Sequence, residues 1–290
     1  MKSCRECKHQ VSEQAVACPE CGAPYPARER WDGFNKGSLD MNPGFRKRLL
    51  QGDLLTGTVV TLSCPPIAEL LSRSGFDWLF IDGEHGCLSV GDIQLLLQVA
   101  QPQCPCVVRV AANHEVHIKQ ALDTGADGII APLVNDADTA ARVVAWAKYP
   151  PLGKRSVGIA RAQGYGAFFA DYVSRANEDM AVIIQVEHVD AVVNIASILD
   201  VSGIDGVFIG PYDLSASMGK PGNIHDADVG HHVETVRQAC LKRRKAIGIF
   251  GVDAVAVQPY IKQGFTLNAV GMDTLMLGQS ARRVLSELKP

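Results

Sequence analysis

Several features that define other classes of protein are missing from this 290-residue sequence. No apolar run approaches the roughly 20 residues that a membrane-spanning helix needs, and the first residues lack the apolar core of a signal peptide. The net charge of −3 provides no excess of positive charge for binding nucleic acid or an anionic membrane. We therefore expect a soluble cytoplasmic protein that binds neither.

The nine cysteines do not suggest a disulfide framework, because their number is odd and no export signal accompanies them. Four of them form two Cys-x-x-Cys pairs, Cys4 with Cys7 and Cys18 with Cys21. Four thiolates at this spacing can complete the tetrahedral shell of a structural zinc ion. We predict a zinc ribbon over residues 1–26, similar to small modules of many prokaryotic proteins, that serves assembly or partner docking. The alternative is a redox pair or thiols without metal.

The remaining sequence predicts a linker followed by a barrel. Residues 27–43 combine glycine, proline and charge, as linkers do. Over residues 44–290, short segments that are apolar on both sides alternate with amphipathic ones. Eight such units in about 250 residues favour a closed (β/α)8 TIM barrel over a doubly wound sheet. A doubly wound sheet would also favour a glycine-rich loop after the first strand, where Ser63-Cys-Pro-Pro stands instead.

The predicted strands cover residues 54–62, 78–82, 106–110, 128–133, 181–187, 205–210, 246–250 and 266–271. The predicted helices cover residues 65–74, 90–100, 115–123, 137–148, 169–176, 190–199, 228–244, 253–263 and 275–288.

Two carboxylates stand where barrel enzymes hold their active sites, at the carboxyl ends of strands. Glu187 closes the fifth strand and Asp213 follows the sixth. Two such groups can share one hard divalent cation with water and a bidentate substrate. Gln185 lies two residues before Glu187 and so points to the same face. The alternative is a salt-bridge network at the rim.

A base and a cation stand at neighbouring strand ends. His85 follows the second strand, lies beside acids and titrates near neutral pH, which favours a general base. Arg109 on the third strand can stabilise developing negative charge. Asp82 lies three residues before His85 and is the partner for it that the sequence suggests. No lysine stands at the rim positions of the central strands, so the site does not call for a Schiff base.

The motifs at these positions resemble the HpcH/HpaI aldolase family. The similarity spans residues 45–288 in motif order and is carried by Asp77–His85, Pro105–Arg109, Gln185–Glu187, Gly206–Gly219 and Val270–Thr274. It implies a class II, metal-dependent pyruvate aldolase on a TIM barrel, usually a homohexamer. Such an enzyme reversibly cleaves a 4-hydroxy-2-oxo acid to pyruvate and an aldehyde through a metal-bound pyruvate enolate.

The resemblance also implies how the substrate and metal are held. Glu187 and Asp213 would bind Mg²⁺, Mn²⁺ or Co²⁺. Gln185, the backbone around Tyr212 and the metal ligand Asp213 would bind the 2-oxo acid. Tyr212 replaces the alanine of some relatives, and residues 159–166 differ from relatives that process dicarboxylates, so the acceptor aldehyde is not identified.

For the chemical step, the resemblance implies that Arg109 stabilises the enolate and that His85 is the base. Asp123 matches the acid that raises the basicity of this histidine, whereas the sequence alone favours Asp82 for that pairing.

Two other functions are possible on the same barrel. A lyase acting on an acyl-CoA or a phosphoenolpyruvate-type substrate would need a basic phosphate site, and Lys242–Lys245 is the one concentrated basic run. A non-catalytic adaptor would sense a ligand in the barrel and bind a protein partner through the ribbon. The complete set of candidate catalytic residues argues against the adaptor.

Overall fold

The computed structural model describes residues 2–3, 7–11, 19–21, 44–101 and 103–289. The chain divides into two units, residues 1–40 and 41–290. The predicted linker over residues 27–43 lies outside the described residues.

In the first unit, Lys2–Ser3 pairs with Gln10–Val11 as a short antiparallel ladder. Cys7 lies in the turn that connects the two segments and is exposed, as is Cys21. The two other predicted zinc ligands, Cys4 and Cys18, lie outside the described residues.

The second unit is a closed barrel of eight parallel strands, which confirms the predicted (β/α)8 fold. Neighbours in the barrel follow the order of the sequence, and the last strand pairs with the first. The strands are β1 (Leu55–Val60), β2 (Trp78–Asp82), β3 (Cys106–Arg109), β4 (Gly128–Ala131), β5 (Ala181–Val186), β6 (Gly206–Ile209), β7 (Ala246–Gly251) and β8 (Leu267–Met272).

Helices cover the outside of the barrel. They are α1 (Phe45–Gln51), α2 (Pro65–Ser72), α3 (Val90–Ala100), α4 (Glu115–Asp123), α5 (Ala137–Ala147), α6 (Phe169–Asp179), α7 (Val189–Val193), α8 (Ile195–Leu199), α9 (Pro211–Ser217), α10 (Ala227–Arg243), α11 (Ala254–Lys262) and α12 (Asp273–Leu288), with a 3₁₀ turn at Arg161–Gln163. Within the described ranges, none is long and apolar enough to cross a membrane.

Three helical features were not predicted from the sequence. The helices α1 and α9 have seven residues each, too few for an amphipathic period to stand out from a loop. The single helix predicted over residues 190–199 is two, α7 and α8, which meet at Asn194. The side-chain amide of Asn194 donates to the Asn135 carbonyl oxygen.

Aromatic side chains fill the lower part of the barrel. Trp78 and Phe80 lie on β2 with ring centroids 5.8 Å apart, and Phe208 on β6 meets Phe80 edge-on at 5.4 Å. Phe45 of α1 packs against Trp78 at the amino ends of the strands, with ring centroids 6.0 Å apart. Trp78 has room because Gly57 faces it without a side chain. The packed rings form a solid floor beneath the upper rim.

The barrel interior turns from apolar to polar within one pleat. Residues two apart on a strand point to the same face. Asp82 therefore lies above Phe80 on the inward face of β2. Arg109, the register partner of Asp82 on β3, also faces the barrel interior. The layer of polar side chains formed by Asp82 and Arg109 therefore lies directly above the aromatic floor.

Candidate active site

A cavity of about 500 Å³ opens at the carboxyl ends of the strands. Six of the predicted site residues line it, namely Asp82, His85, Arg109, Gln185, Tyr212 and Asp213. Residues from the ends of four strands, up to 131 positions apart in the chain, meet here because parallel strands all end at the same face. Glu187 lies directly behind this lining and is 4% exposed.

Arg109 is held by two carboxylates. Its Nε and Nη2 donate to Oδ1 and Oδ2 of Asp82 at 2.9 and 2.7 Å, and its Nε lies 3.3 Å from Oε2 of Glu84. The guanidinium carbon lies 5.2 Å from the centre of the Phe80 ring, which supports it from below. The orientation of Arg109 is thus set before any substrate binds.

The two carboxylates differ in their electrostatics. Burial would raise the pKa of Asp82, but the hydrogen bonds and charge of Arg109 outweigh it and hold the pKa below its ordinary value. Burial raises the pKa of Glu84, with the charge of Arg109 opposing and that of Glu187 adding to the rise. The sequence-based site did not include Glu84, although it stands in the same motif as His85.

Glu187 is bound on both carboxylate oxygens. Oε1 accepts from the backbone N–H of Leu133 at 2.7 Å, and Oε2 accepts from the side-chain amide of Gln185. Leu133 adopts a left-handed backbone conformation, with φ of 52°, which is costly for a branched side chain. Its role as a donor was not predictable, because the donor is a main-chain group whose direction the sequence does not reveal.

Gln185 connects the acid to the cation. Its Oε1 accepts from Nη1 of Arg109 at 3.4 Å, while its amide nitrogen donates to Glu187. Gly210, at the end of β6, has no side chain to fill the space beside them. A Cβ there would lie 3.2 Å from Cβ of Glu187 and 3.3 Å from its Oε2.

These residues fit a hard divalent cation. Asp213 lies in the first turn of α9 and is exposed to the cavity, and no hydrogen bond or ion pair with the described part of the chain occupies its carboxylate. Glu187 supplies a second carboxylate beside the open space at Gly210. No group of three or more His, Cys, Asp or Glu residues in the described ranges could hold a metal. Two protein carboxylates with the remaining positions left to substrate and water is an arrangement typical of Mg²⁺.

The imidazole of His85 is not bound by either of its predicted partners within the chain. Asp82 accepts the backbone N–H of His85 at 3.1 Å and does not hydrogen-bond to the ring. Asp123 ends α4, and helices run antiparallel to the strands, so it lies at the amino-end face of the barrel. There its Oδ1 accepts from Nη2 of buried Arg155 at 2.7 Å.

The basic run Lys242–Lys245 does not reach the cavity. It ends α10 and precedes β7, which places it at the amino-end face. Arg243 pairs with Asp200 at 2.7 Å, and Lys245 donates to the Ile204 carbonyl oxygen. Within one chain, the run therefore does not serve as a phosphate site for a ligand in this cavity.

Comparisons with known proteins bear on the same region. The sequence model of the family described as HpcH/HpaI aldolase/citrate lyase matches residues 56–279. The chain belongs to this family. The match spans every barrel strand apart from the first residue of β1, so the cavity lies wholly within the family's domain.

Relatives and solved structures agree with this assignment. The 2-keto-3-deoxy-L-rhamnonate aldolase of Salmonella typhimurium strain LT2 is 39% identical over 260 residues, covering 87% of this chain and 95% of that protein. The 4-hydroxy-2-oxo-heptane-1,7-dioate aldolase of Salmonella paratyphi B is 41% identical, covering 83% and 92%. A crystal structure of a family member from Burkholderia cenocepacia J2315 superposes with a TM-score of 0.82 at 33% identity, covering 84% and 98%. The predicted aldolase is confirmed, and the divalent-metal dependence of the family supports a metal in the barrel.

Proposed function

We propose that this aldolase reversibly cleaves a 4-hydroxy-2-oxo acid to pyruvate and an aldehyde. The observation that carries the proposal is the pre-oriented Arg109 in a cavity that also presents Gln185 and Asp213, with Glu187 behind them. This set suits a 2-oxo acid, which has two adjacent oxygens for a cation and a keto oxygen that gains charge. The names of the two Salmonella relatives support a 2-oxo acid substrate.

The acids would hold the cation and the amide would help to place the substrate. Mg²⁺, Mn²⁺ or Co²⁺ at Glu187 and Asp213 would supply a Lewis acid that polarises the keto group. Gln185 and the backbone at Tyr212 would contact the bound 2-oxo acid. Leu133 and Gln185 keep the Glu187 carboxylate in place, because each donates to a different oxygen.

Arg109 and His85 would then act on the reacting atoms. In cleavage, His85 takes the proton of the 4-hydroxyl group and the C3–C4 bond breaks. The electron pair of that bond moves toward the keto group. C3 then takes a proton from water to become the methyl group of pyruvate, and His85 releases the hydroxyl proton to the resulting hydroxide. Nη1 of Arg109, which Asp82 does not bind, donates to the oxygen on which negative charge develops.

The role of Asp123 depends on assembly. Within one chain, Asp123 and His85 lie at opposite ends of the barrel, so the acid can act on His85 only from a second copy. The homohexamer expected from the family resemblance would provide such copies. Arg155 would then position Asp123 from behind.

We also propose that Cys4, Cys7, Cys18 and Cys21 bind one structural Zn²⁺. The spacing of the two pairs supports this, as does the placement of Cys7 in the turn of a paired segment. One zinc per chain in the purified protein, lost in Cys7→Ser but not in Cys240→Ser, is the expected result. Equal zinc content in both variants would exclude the site.

Exchange of the methyl protons of pyruvate tests the catalytic proposal without a choice of aldehyde. We would follow the methyl signal by NMR in D₂O, using the full chain with Mg²⁺, after EDTA, and after Mg²⁺ is restored. The expected result is exchange that requires the metal and that Glu187→Gln abolishes. Glu287→Gln changes an exposed acid on α12 and should leave exchange unaffected. Metal-independent exchange, or full exchange in Glu187→Gln, would refute the assignment.

A further inference from the structure

The active-site cavity has two chemically different walls. The polar wall is formed by Asp82, His85, Arg109, Gln185 and Asp213, which lie on or after β2, β3, β5 and β6. The apolar wall is formed by Val59, Phe250 and Met272, on β1, β7 and β8. These three strands are consecutive in the closed barrel, so the apolar wall is continuous.

The polar wall is already assigned to the 2-oxo acid, which leaves the apolar wall for the aldehyde portion. Val59 is 4% exposed, and Phe250 and Met272 are half-buried, so the wall is packed in place. Hydroxyl groups border it at the mouth, on Thr61, Thr274 and Tyr212. The hydroxyl of Thr61 is bound to Oδ1 of Asp273 at 2.7 Å, so it can accept a further hydrogen bond from a ligand.

Positive charge is scarce in this cavity. Arg109 is the one lysine or arginine among its described lining residues. Asp82 takes both Nε and Nη2 of that guanidinium, and Glu84 lies 3.3 Å from Nε. The remaining nitrogen of Arg109, Nη1, points to the polar wall, where it donates to Gln185. A second anionic group would therefore find no cation of the same chain at the apolar wall.

A buried acid behind the apolar wall adds repulsion. Asp273 follows Met272 directly and is 4% exposed. Its carboxylate accepts the backbone N–H groups of Thr61 and Leu62 at 2.8 Å, which ties β1 to the start of α12. Four hydrogen-bond donors hold the carboxylate and no described salt bridge involves it, so Asp273 places negative rather than positive charge behind the apolar wall.

We infer that the aldehyde used by this site is uncharged: a short aldehyde whose carbons are apolar or carry hydroxyl groups, without a carboxylate. This inference rests on the proposed function and narrows it to 4-hydroxy-2-oxo monocarboxylates. Alkyl carbons gain from burial against Val59, Phe250 and Met272. A carboxylate in the same place loses its hydration without gaining a partner.

A matched pair of aldehydes tests the inference directly. With pyruvate and Mg²⁺ fixed, we would measure kcat/KM of the assembled full-length enzyme for 4-oxobutanoate and for its methyl ester, with lactaldehyde as a small hydroxylated aldehyde. The ester and lactaldehyde should each exceed the anion by about tenfold or more, the ratio that corresponds to one unpaired charge at a partly open site. Equal or faster turnover of the anion would overturn the inference.

Pyruvate proton exchange is measured first on the same preparation. Exchange without any preference for the neutral aldehydes would refute the uncharged acceptor and leave the proposed function intact. Absence of exchange in folded, metal-loaded protein would refute the proposed function, and the inference with it. The two failures are thus distinguishable.

A positive charge introduced at the mouth of the cavity tests whether charge sets the preference for uncharged aldehydes. Thr274→Lys adds a cation at an exposed lining position, and Thr274→Met adds similar bulk without charge. Thr274→Lys should lower the ratio of kcat/KM for the ester to kcat/KM for the anion by about tenfold. Thr274→Met should leave this ratio unchanged. The same ratio in both variants would show that charge does not set the selectivity. Melting temperatures establish that both variants are folded.

Discussion

The carboxylate of Asp82 faces the guanidinium of Arg109 edge to edge, with Nε–Oδ1 and Nη2–Oδ2 distances of 2.9 and 2.7 Å. The two residues are register partners on adjacent strands, so the barrel itself sets their distance. Asp82 also accepts the backbone N–H groups of Glu84 and His85, both at 3.1 Å. One buried carboxylate therefore fixes both the cation and the loop that carries the proposed base.

Asp82→Asn should lower kcat by about 100-fold, because the amide cannot match two guanidinium donors with two charged acceptors. The change leaves Arg109 in the cavity without the pair of charged acceptors that fixes its orientation. Steady-state kinetics of aldol cleavage and the melting temperature would be measured together. Asp171→Asn, on the exposed face of α6, is the matched control. Unchanged kcat in a folded Asp82→Asn enzyme would contradict the positioning role.

Mixing two inactive variants should restore activity if Asp123 acts on His85 of another copy. One variant carries His85→Ala and the other Asp123→Asn, and each alone should turn over at least about 10-fold more slowly than the wild type. In mixed assemblies, an intact His85 from one copy meets an intact Asp123 from the next. Activity well above the sum of the separate variants, after subunits are dissociated and reassembled together, is the expected result.

Absence of recovery in assemblies shown to be mixed would mean that Asp123 does not act on His85 across copies. A second readout is the melting temperature of Asp123→Asn alone. A purely structural role, through the ion pair with Arg155, would lower stability, and mixing with His85→Ala would then restore no activity.

The strand ends were predictable because an apolar run that turns polar shows in the sequence. β2 was predicted over its observed residues, and His85 and Arg109 followed from the ends of β2 and β3. The pairing of Asp82 was not predictable in this way. Proximity along the chain favours His85, whereas parallel pairing of β2 with β3 brings Arg109, 27 residues away, directly beside it.

Contacts that depend on the direction of the backbone could not be predicted from the sequence either. Leu133, whose backbone is left-handed, donates its N–H to Glu187, and no residue type in the sequence marks this contact. Glu84 could have been found, because it lies in the same motif as Asp82 and His85. Its contact with Arg109 needed the loop geometry after β2.

Gly57→Ala should destabilise the barrel by about 3 kcal/mol, the upper part of the usual range for overpacking. A Cβ at residue 57 would lie 2.6 Å from the Trp78 indole and 2.6 Å from the Trp78 carbonyl oxygen, and Trp78 is fully buried. Chemical denaturation measures the loss. Gly158→Ala is the control, because nothing lies within 4 Å of a Cβ there. Equal stability of the two variants would show that the aromatic floor can yield.

We expect the free energy of unfolding to rise with pH between about 8 and 10.5 because of Lys148. Its side chain is buried, and Nζ donates to the carbonyl oxygens of Asn177 and Met180 at 2.8 and 2.7 Å. Burial lowers the pKa of Lys148 from 10.5 to about 8, with Asp205 opposing and Arg46 and Arg155 contributing. Below pH 8 both states carry the proton, and the folded state bears the full cost of the buried charge.

Between pH 8 and 10.5 the unfolded chain binds the Lys148 proton and the folded chain does not, so the free energy of unfolding rises with pH. The gap between the two pKa values, at about 1.4 kcal/mol for each pH unit, sets an upper bound of about 3.5 kcal/mol. Lys148→Met should remove this rise, and Lys262→Met, at an exposed position, should keep it. Denaturation of all three proteins at pH 7.5, 9 and 10.5 measures the difference. Other groups that titrate in this range are common to the wild type and Lys148→Met. If the free energy of unfolding changes with pH equally in these two proteins, Lys148 keeps its ordinary pKa despite burial.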